Sequence, residues 1–265
     1  MKAVSLLYHD VIEANDFESS GFPGAEAAIY KLNIADLERH FQSISEHVSV
    51  QPSSVVEYQR SKGKGNIPLF ITFDDGGRSA ALHIADLLER YGWIGHFFIT
   101  TDYINTEAFV TEDHIRDLWS RGHIIGSHSS SHPERMSRCG REQLEGEWKE
   151  SVGVLSGIVG ERITCASVPG GSYSRRVAEA ASRSGITTLF TSEPIKRCEY
   201  VDDCLVLGRY TVLRGMPPEV SAGFVSIGLS SHQARQYLYW NSKKLLKIVF
   251  GPCYTWMRRL ILRRR

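Results

Sequence analysis

Short apolar runs alternate with amphipathic stretches along most of this chain. "AVSLLY" at 3–8 predicts a buried strand, and "PLFITF" at 68–73, "IGHFFIT" at 94–100, "HIIGSHS" at 123–129, "TCASVP" at 164–169 and "ITTLFTS" at 186–192 predict further ones. "CLVLGRYTV" at 204–212 predicts a last strand. Between them, apolar residues recur at helical spacing. Ile34, Leu37, Phe41, Ile44 and Val48 share a face behind a candidate cap at Asn33, and Leu82, Ala85, Leu88 and Tyr91 share another behind Ser79. Thr111 and Gly122 bracket a third helix, Leu144, Trp148, Val152, Leu155 and Val159 mark a fourth, and Ser174 and Gly185 bracket a fifth. Strands alternating with helices of about a dozen residues predict a largely parallel sheet covered by helices, open or closed into a barrel.

In such folds reacting groups collect at the carboxyl ends of the strands. Here His9 and Asp10 follow the first strand, Asp74 and Asp75 another, His128 a third, and Pro169 and Gly170 a fourth, while Arg209 sits in the last. Two adjacent carboxylates repel each other. A divalent cation removes that repulsion and gives each a separate task. His128 and His132 are separated by three residues, so one helical turn would set both imidazoles on one side, ending before Pro133. Two histidines and one carboxylate are a common catalytic zinc set with an open position. Taken alone, "DDG" is a turn and His-x3-His a histidine-bearing loop. Spacing by itself leaves the metal reading and the bland one level. His96 reads as packed in the core, His83 and His114 as solvated or locally satisfied, and His123 as lying away from the functional strand end.

Composition changes the picture in three ways. The chain has 265 residues, 42% hydrophobic and 23% charged, enough for one α/β domain of barrel size. Net charge is +1, but no acidic residue follows Glu219, and Arg235 onward carries nine Lys or Arg, leaving about −8 for the rest. The expected division is therefore a catalytic domain at 1–234 and a basic amphipathic tail at 235–265. Five cysteines and an N-terminus without the pattern of a secretory signal lead us to expect reduced thiols and a cytoplasmic protein, with free thiols favoured over a Cys198–Cys204 pair. No apolar run is long enough to span a membrane.

"TFDDG" at 72–76 and "HSSSH" at 128–132, inside "GHIIGSHSSSHP", resemble the first two motifs of the polysaccharide deacetylase family, the NodB-like carbohydrate esterases. The resemblance extends across roughly 1–215. It implies a distorted (β/α) barrel of about seven strands and metal-dependent hydrolysis of an N-acetyl amide on a glycan or a lipid-linked sugar. Asp74 would be the base, and Asp75, His128 and His132 would hold the cation, zinc in the first place, with cobalt, manganese or nickel as substitutes. "SVPGGSYS" at 167–174 resembles the third motif, in which the N–H after the proline, here that of Gly170 after Pro169, receives the oxyanion. An Arg and a Tyr usually flank that motif; Ser167 and Gly170 stand here instead. Arg209 is a candidate replacement for the arginine, alongside a plain ion-pair role. No clear tryptophan-bearing fourth motif and no leucine-x-x-histidine is assigned near the barrel's end, so the usual acid lacks a candidate there. "LLYHDV" and "PGGSYS" are similar to the exopolysaccharide branch, which makes His9 a candidate acid, against a structural histidine. Tyr173 is a candidate sugar contact.

The tail, "NSKKLLKIVFGPCYTWMRRLILRRR" at 241–265, interleaves basic and apolar residues. Peripheral docking on an anionic membrane at the inner surface is expected, ahead of packing on the barrel or on a partner protein, and nucleic acid is the least favoured partner. Two rivals share this sequence: an amidase or deformylase acting on a small molecule, and a barrel that has lost its acid and arginine and only binds glycan.

Overall fold

The computed structural model describes residues 1–13, 16–48, 50–61, 65–226, 228 and 230–243. The chain begins with strand β1 (Val4–Tyr8), then β2 (Val11–Ile12), α1 (Ala25–Ala28), β3 (Leu32–Asn33), α2 (Ile34–His47) and α3 (Val55–Arg60). The repeating part follows: β4 (Leu69–Phe73), α4 (Ala85–Arg90), β5 (Gly95–Ile99), α5 (Glu112–Ser120), β6 (Ile124–Ser127), α6 (Arg141–Val159), β7 (Cys165–Ser167), α7 (Arg175–Arg183) and β8 (Thr188–Phe190). It ends with β9 (Glu199–Val201), β10 (Cys204–Leu207), β11 (Tyr210–Thr211) and α8 (Pro218–Val225). Residues 231–243 are also helical.

Nine strands form one sheet in the order β11-β1-β4-β5-β6-β7-β8-β10-β9, and every neighbouring pair is parallel except β9–β10. The count exceeds the expected seven for a definite reason. The strand expected over 204–212 is broken at Gly208 and Arg209: its first half pairs with β8 and its second half with β1. One bent segment thus touches both ends of the wall and closes it into a distorted barrel. A Cβ on Gly208 would lie 2.3 Å from the Glu193 carbonyl oxygen, so only glycine lets the chain bend there. Next to it the Arg209 N–H donates to that carbonyl at 2.9 Å. A bridge between Lys2 and Arg197 adds a second seam across the closure.

The period of two along the strands sorts residues into two cores. Leu6, Ile71, Phe73, Phe97, Ile99 and Ile125 face outward under α2, α4, α5 and α8. Phe70, Phe98, Phe190, Leu205 and Leu207 face inward, and Val55 and Tyr58 of α3 pack on them to plug the amino end of the barrel. His96 lies in this interior, fully buried, its Nε2 accepting the Val55 N–H at 3.0 Å and its Nδ1 bonded to the Ile71 carbonyl at 3.1 Å.

The helical phase drifts at one place. Ala80–Ile84 forms a single wide π-turn before α4, and Leu82, expected on the buried face, is 48% exposed. Ser79 does not cap that helix: its hydroxyl donates to Asp10 Oδ1 at 2.8 Å and accepts the Val11 N–H. Gln236, two residues beyond the expected boundary, exchanges two hydrogen bonds with the backbone of Thr211 on β11. Residues 244–265, which hold most of the expected basic tail and Cys253, lie outside the described residues. The other four cysteines are free thiols, Cys198 and Cys204 among them. No helix among the described residues is long and apolar enough to cross a membrane.

Candidate metal centre and catalytic site

The carboxyl ends of β4, β6 and β7 and the bend at 208–209 meet at one rim. After β4 the chain turns sharply, with Asp75 at φ 77° and Gly76 at φ 86°. A side chain on Gly76 would press on Ile99 at 3.1 Å. The left-handed turn separates the two aspartates: the Asp74 N–H still pairs with Tyr8 of β1, while the Asp75 carbonyl accepts from Thr100. Their carboxylates are thereby presented to different partners.

His128 and His132 do come together, but not on a helical turn as expected. The stretch between them is a loop, with Ser129 at φ 67° and His132 at φ 57°. Left-handed backbone at these two positions turns the chain back, and the ring centroids lie 5.1 Å apart. His128 Nε2 is 3.4 Å and His132 Nε2 is 3.6 Å from Asp75 Oδ1. The donor atoms of Asp75, His128 and His132 all lie within 4.8 Å of one another.

The protonation states suit a cation. His128 Nδ1 faces Ser167, 2.5 Å from its hydroxyl and 3.1 Å from its carbonyl. A carbonyl only accepts, so Nδ1 carries a hydrogen, which leaves Nε2 as the atom that could bind a cation. Burial pushes the His132 imidazole down to about 4, so it is neutral near pH 7. Burial alone would raise the Asp75 carboxyl; His128, with His9 and His132 behind it, holds it well below the carboxylate range. Two imidazoles and one carboxylate so gathered are residue types that can hold a divalent cation.

Asp74 belongs to a separate network. Arg209, on the bend, grips it with both arms, Nη1–Oδ1 at 2.6 Å and Nη2–Oδ2 at 2.7 Å. Its remaining donors go to the Thr191 carbonyl and the Thr72 hydroxyl, each at 3.0 Å, and the guanidinium lies between the rings of Phe98 and Phe190. Ser167 donates to Asp74 Oδ1 at 3.0 Å, linking this network to His128. Burial works to raise the Asp74 carboxyl, but the charges of Arg209 and His128 outweigh it and keep the group ionised. Its Oδ2 lies 3.9 Å from His128 Nε2, on the cation side. Ser167, visible in the sequence only as a missing arginine, therefore joins base and ligand.

The remaining expected residues are placed unequally. His9 packs at a tilt on Tyr30, ring centroids 4.5 Å apart, and its buried Nδ1 has no hydrogen-bond partner among the described residues. Burial lowers its pKa, and the Asp75 and Asp74 carboxylates act on it in the opposite sense. Pro169 and Gly170 form the turn after β7, with Pro169 buried and Gly170 exposed at φ 58°. Tyr173 packs against the cluster of Met136, Trp148 and Val177 and feels the charges of Glu199 and Glu193. Sequence reasoning missed the aromatic wall. Phe22 packs on His132 at 4.8 Å and on Tyr103 and Phe109, in a loop tied down where Ser20 donates to buried Asp10 at 2.7 Å.

Fold and site define a class: a (β/α) barrel protein with a candidate metal centre and an arginine-paired aspartate at the carboxyl rim. The sequence profile of the polysaccharide deacetylase family matches residues 61–189. Peptidoglycan-N-acetylmuramic acid deacetylase PdaA of Bacillus subtilis (strain 168) is 26% identical over 126 residues, 47% of this chain and 46% of that protein. The chain spans less than half the length of the curated relatives it matches. The Streptococcus pyogenes deacetylase PplD, solved in complex with acetate, superposes with a TM-score of 0.69 at 20% identity, covering 83% of this chain and 96% of that one. IcaB from Ammonifex degensii superposes at 0.68 with 17% identity, covering 85% and 97%. The structural likeness establishes the shared barrel. The profile match, just under half of the chain, and the shared barrel make the chain similar to the polysaccharide deacetylases.

Proposed function

We propose that this protein is a metal-dependent hydrolase that removes N-acetyl groups from a glycan or a lipid-linked sugar. The observation that carries the reading is the convergence of Asp75, His128 and His132 beside an ionised, arginine-held Asp74 on one barrel rim. Relatives named as deacetylases of glycans support the substrate class.

Asp75 and the Nε2 atoms of His128 and His132 would hold the cation, with zinc suiting the set and cobalt, manganese or nickel able to replace it. A cation held there would polarise an acetamide carbonyl and acidify a water. Asp74 Oδ2, on the cation side, takes the proton as water adds to the carbonyl carbon. Arg209 keeps that carboxylate ionised and oriented, which makes it a positioning residue. The Gly170 N–H, after Pro169, is the candidate donor to the developing oxyanion. His9 is the candidate acid: it delivers a proton to the amine nitrogen as the C–N bond breaks, releasing acetate and a free amine. Tyr173 remains a candidate contact for a more distant sugar unit.

The pairing of Arg209 with Asp74 speaks against the impaired-barrel rival, since the base keeps an arginine partner. The test is acetate release from N-acetylated oligosaccharides and small amides, before and after dialysis against dipicolinate. Activity on sugars that disappears on chelation and returns with Zn²⁺ or Co²⁺ is expected. Glycan binding without acetate release under every metal would refute the enzyme reading, and preference for small amides would refute the substrate.

A peripheral contact with anionic membrane from the cytoplasmic side belongs to the same reading. Tyr237, Leu238 and Tyr239 stand exposed on helical residues 231–243, which lead into the basic stretch, and support it. Flotation with phosphatidylglycerol vesicles should lift the full chain and leave a 1–243 truncation behind; equal behaviour refutes it.

A further inference from the structure

The loop that joins the two imidazoles has a shape its own backbone does not favour. Ser129 and His132 are both left-handed without being glycine, a conformation that side chains with a Cβ disfavour. Something must hold it, and the holder comes from α6. Glu147 is 8% exposed, and its carboxylate accepts four hydrogen bonds from the two central serines. Oε2 accepts the Ser130 N–H at 3.0 Å, the Ser130 hydroxyl at 2.9 Å and the Ser131 N–H at 2.9 Å. Oε1 accepts the Ser131 hydroxyl at 2.6 Å. Burial works to raise this carboxyl, and the bonds from Ser131 and Ser130 more than offset it, so the acceptor is an anion and the bonds are charge-assisted. Around this centre, Ser129 Oγ accepts the His132 N–H, and Ser127 Oγ accepts the Ser129 N–H while bonding to Ser151, again on α6. Glu147 is not among the clustered donor atoms and touches neither imidazole; it acts on the loop between them.

We propose that Glu147 is a positioning residue that holds the His128–His132 loop in its metal-binding shape, making α6 the support of the metal centre. The inference rests on reading Asp75, His128 and His132 as cation ligands. Without the carboxylate, four donors lose their acceptor together, the left-handed residues relax, and the imidazoles spread.

The experiment is titration of the full chain with Co²⁺, followed by its visible d–d absorption, a readout independent of turnover. Wild type should bind Co²⁺ saturably, and Asp75→Asn should abolish the bands. Glu147→Ala should weaken binding by about 10–100-fold, the range for partners that orient metal ligands. Glu147→Gln keeps the side-chain shape and one acceptor oxygen, and its affinity should fall between wild type and Glu147→Ala. Leu155→Ala, in the buried core face of the same helix, should lower Tm and leave Co²⁺ affinity unchanged. Wild type without saturable, Asp75-dependent binding overturns the metal reading and this inference with it. Wild-type affinity in both Glu147 variants overturns the role of Glu147 alone. Equal weakening by Leu155→Ala also overturns it, since the effect would then be general destabilisation. If the alanine variant does not fold, the glutamine variant decides, and wild-type affinity there refutes the role assigned to the carboxylate.

Discussion

Replacing Arg209 with methionine should damage this protein in a way that a second substitution repairs. Arg209 and Asp74 have side chains 0% and 3% exposed, so neither charge can turn to water once its partner is gone. Methionine keeps the stem between Phe98 and Phe190, so packing is largely preserved. Thr72 remains satisfied, because its hydroxyl also donates to the Leu6 carbonyl at 2.8 Å. The loss therefore falls on the Asp74 carboxylate, left with the Ser167 hydroxyl as its donor. Breaking a buried, hydrogen-bonded pair from one side costs about 3–5 kcal/mol. For a domain of this size that is a fall in Tm on the order of 6–20 °C. Asp74→Asn should cost a comparable amount, by stranding the guanidinium. The double variant Arg209→Met/Asp74→Asn should be more stable than Arg209→Met alone, with a coupling energy of at least ~1.5 kcal/mol. Urea unfolding of the four proteins at pH 7.5 with chelator present measures this. The pH dependence adds a check on sign. In wild type the depressed Asp74 pKa contributes stability above the unfolded value near ~4, lost as pH falls through the folded value. In Arg209→Met the strongest charge opposing burial is gone and that pKa moves up, so the gap to wild type should narrow as pH falls from 7.5 toward 5. Additive costs within ~0.5 kcal/mol, or a gap that does not narrow, would refute the reasoning.

Other consequences are open to measurement. His9→Ala should lower kcat by about 10²–10⁴-fold and remove the basic limb of its pH profile, because an acid must keep its proton; an unchanged limb dismisses His9. His96 is held at about 4 by burial, and its neutral ring has both nitrogens satisfied. A depressed histidine loses stability as pH falls below the unfolded value, so wild type should lose about 2 kcal/mol between pH 7 and 5 from this group, and His96→Gln should show a shallower slope in urea titrations. Parallel slopes would remove His96 from the account. Phe22→Ala, which strips the ring from His132, should raise KM for oligosaccharides more than it lowers kcat; the reverse split would make Phe22 a support of the metal ligand and not a wall of the sugar site.

Most of the barrel was legible in the sequence because periodicity is a local property. Alternation at period two and apolar faces at period 3.6 marked β1, β4 to β8 and the helices between them. The paired aspartates and the histidine pair were legible because each motif sits at a strand end, where a parallel sheet presents reactive groups. What stayed hidden depended on contacts between distant residues. The break at Gly208 is set by the Glu193 carbonyl, and it alone turns Arg209 inward to Asp74, 135 positions away in sequence. The histidines converge through left-handed backbone at Ser129 and His132, held by Glu147 of α6, where local spacing had suggested a helical turn. By itself, then, the chain's pattern determined its class of architecture and the identity of the candidate ligands, since both follow from residue type and repeat. Only the closed barrel decided which charge faces which, because buried electrostatics depends on distances that sequence separation does not encode.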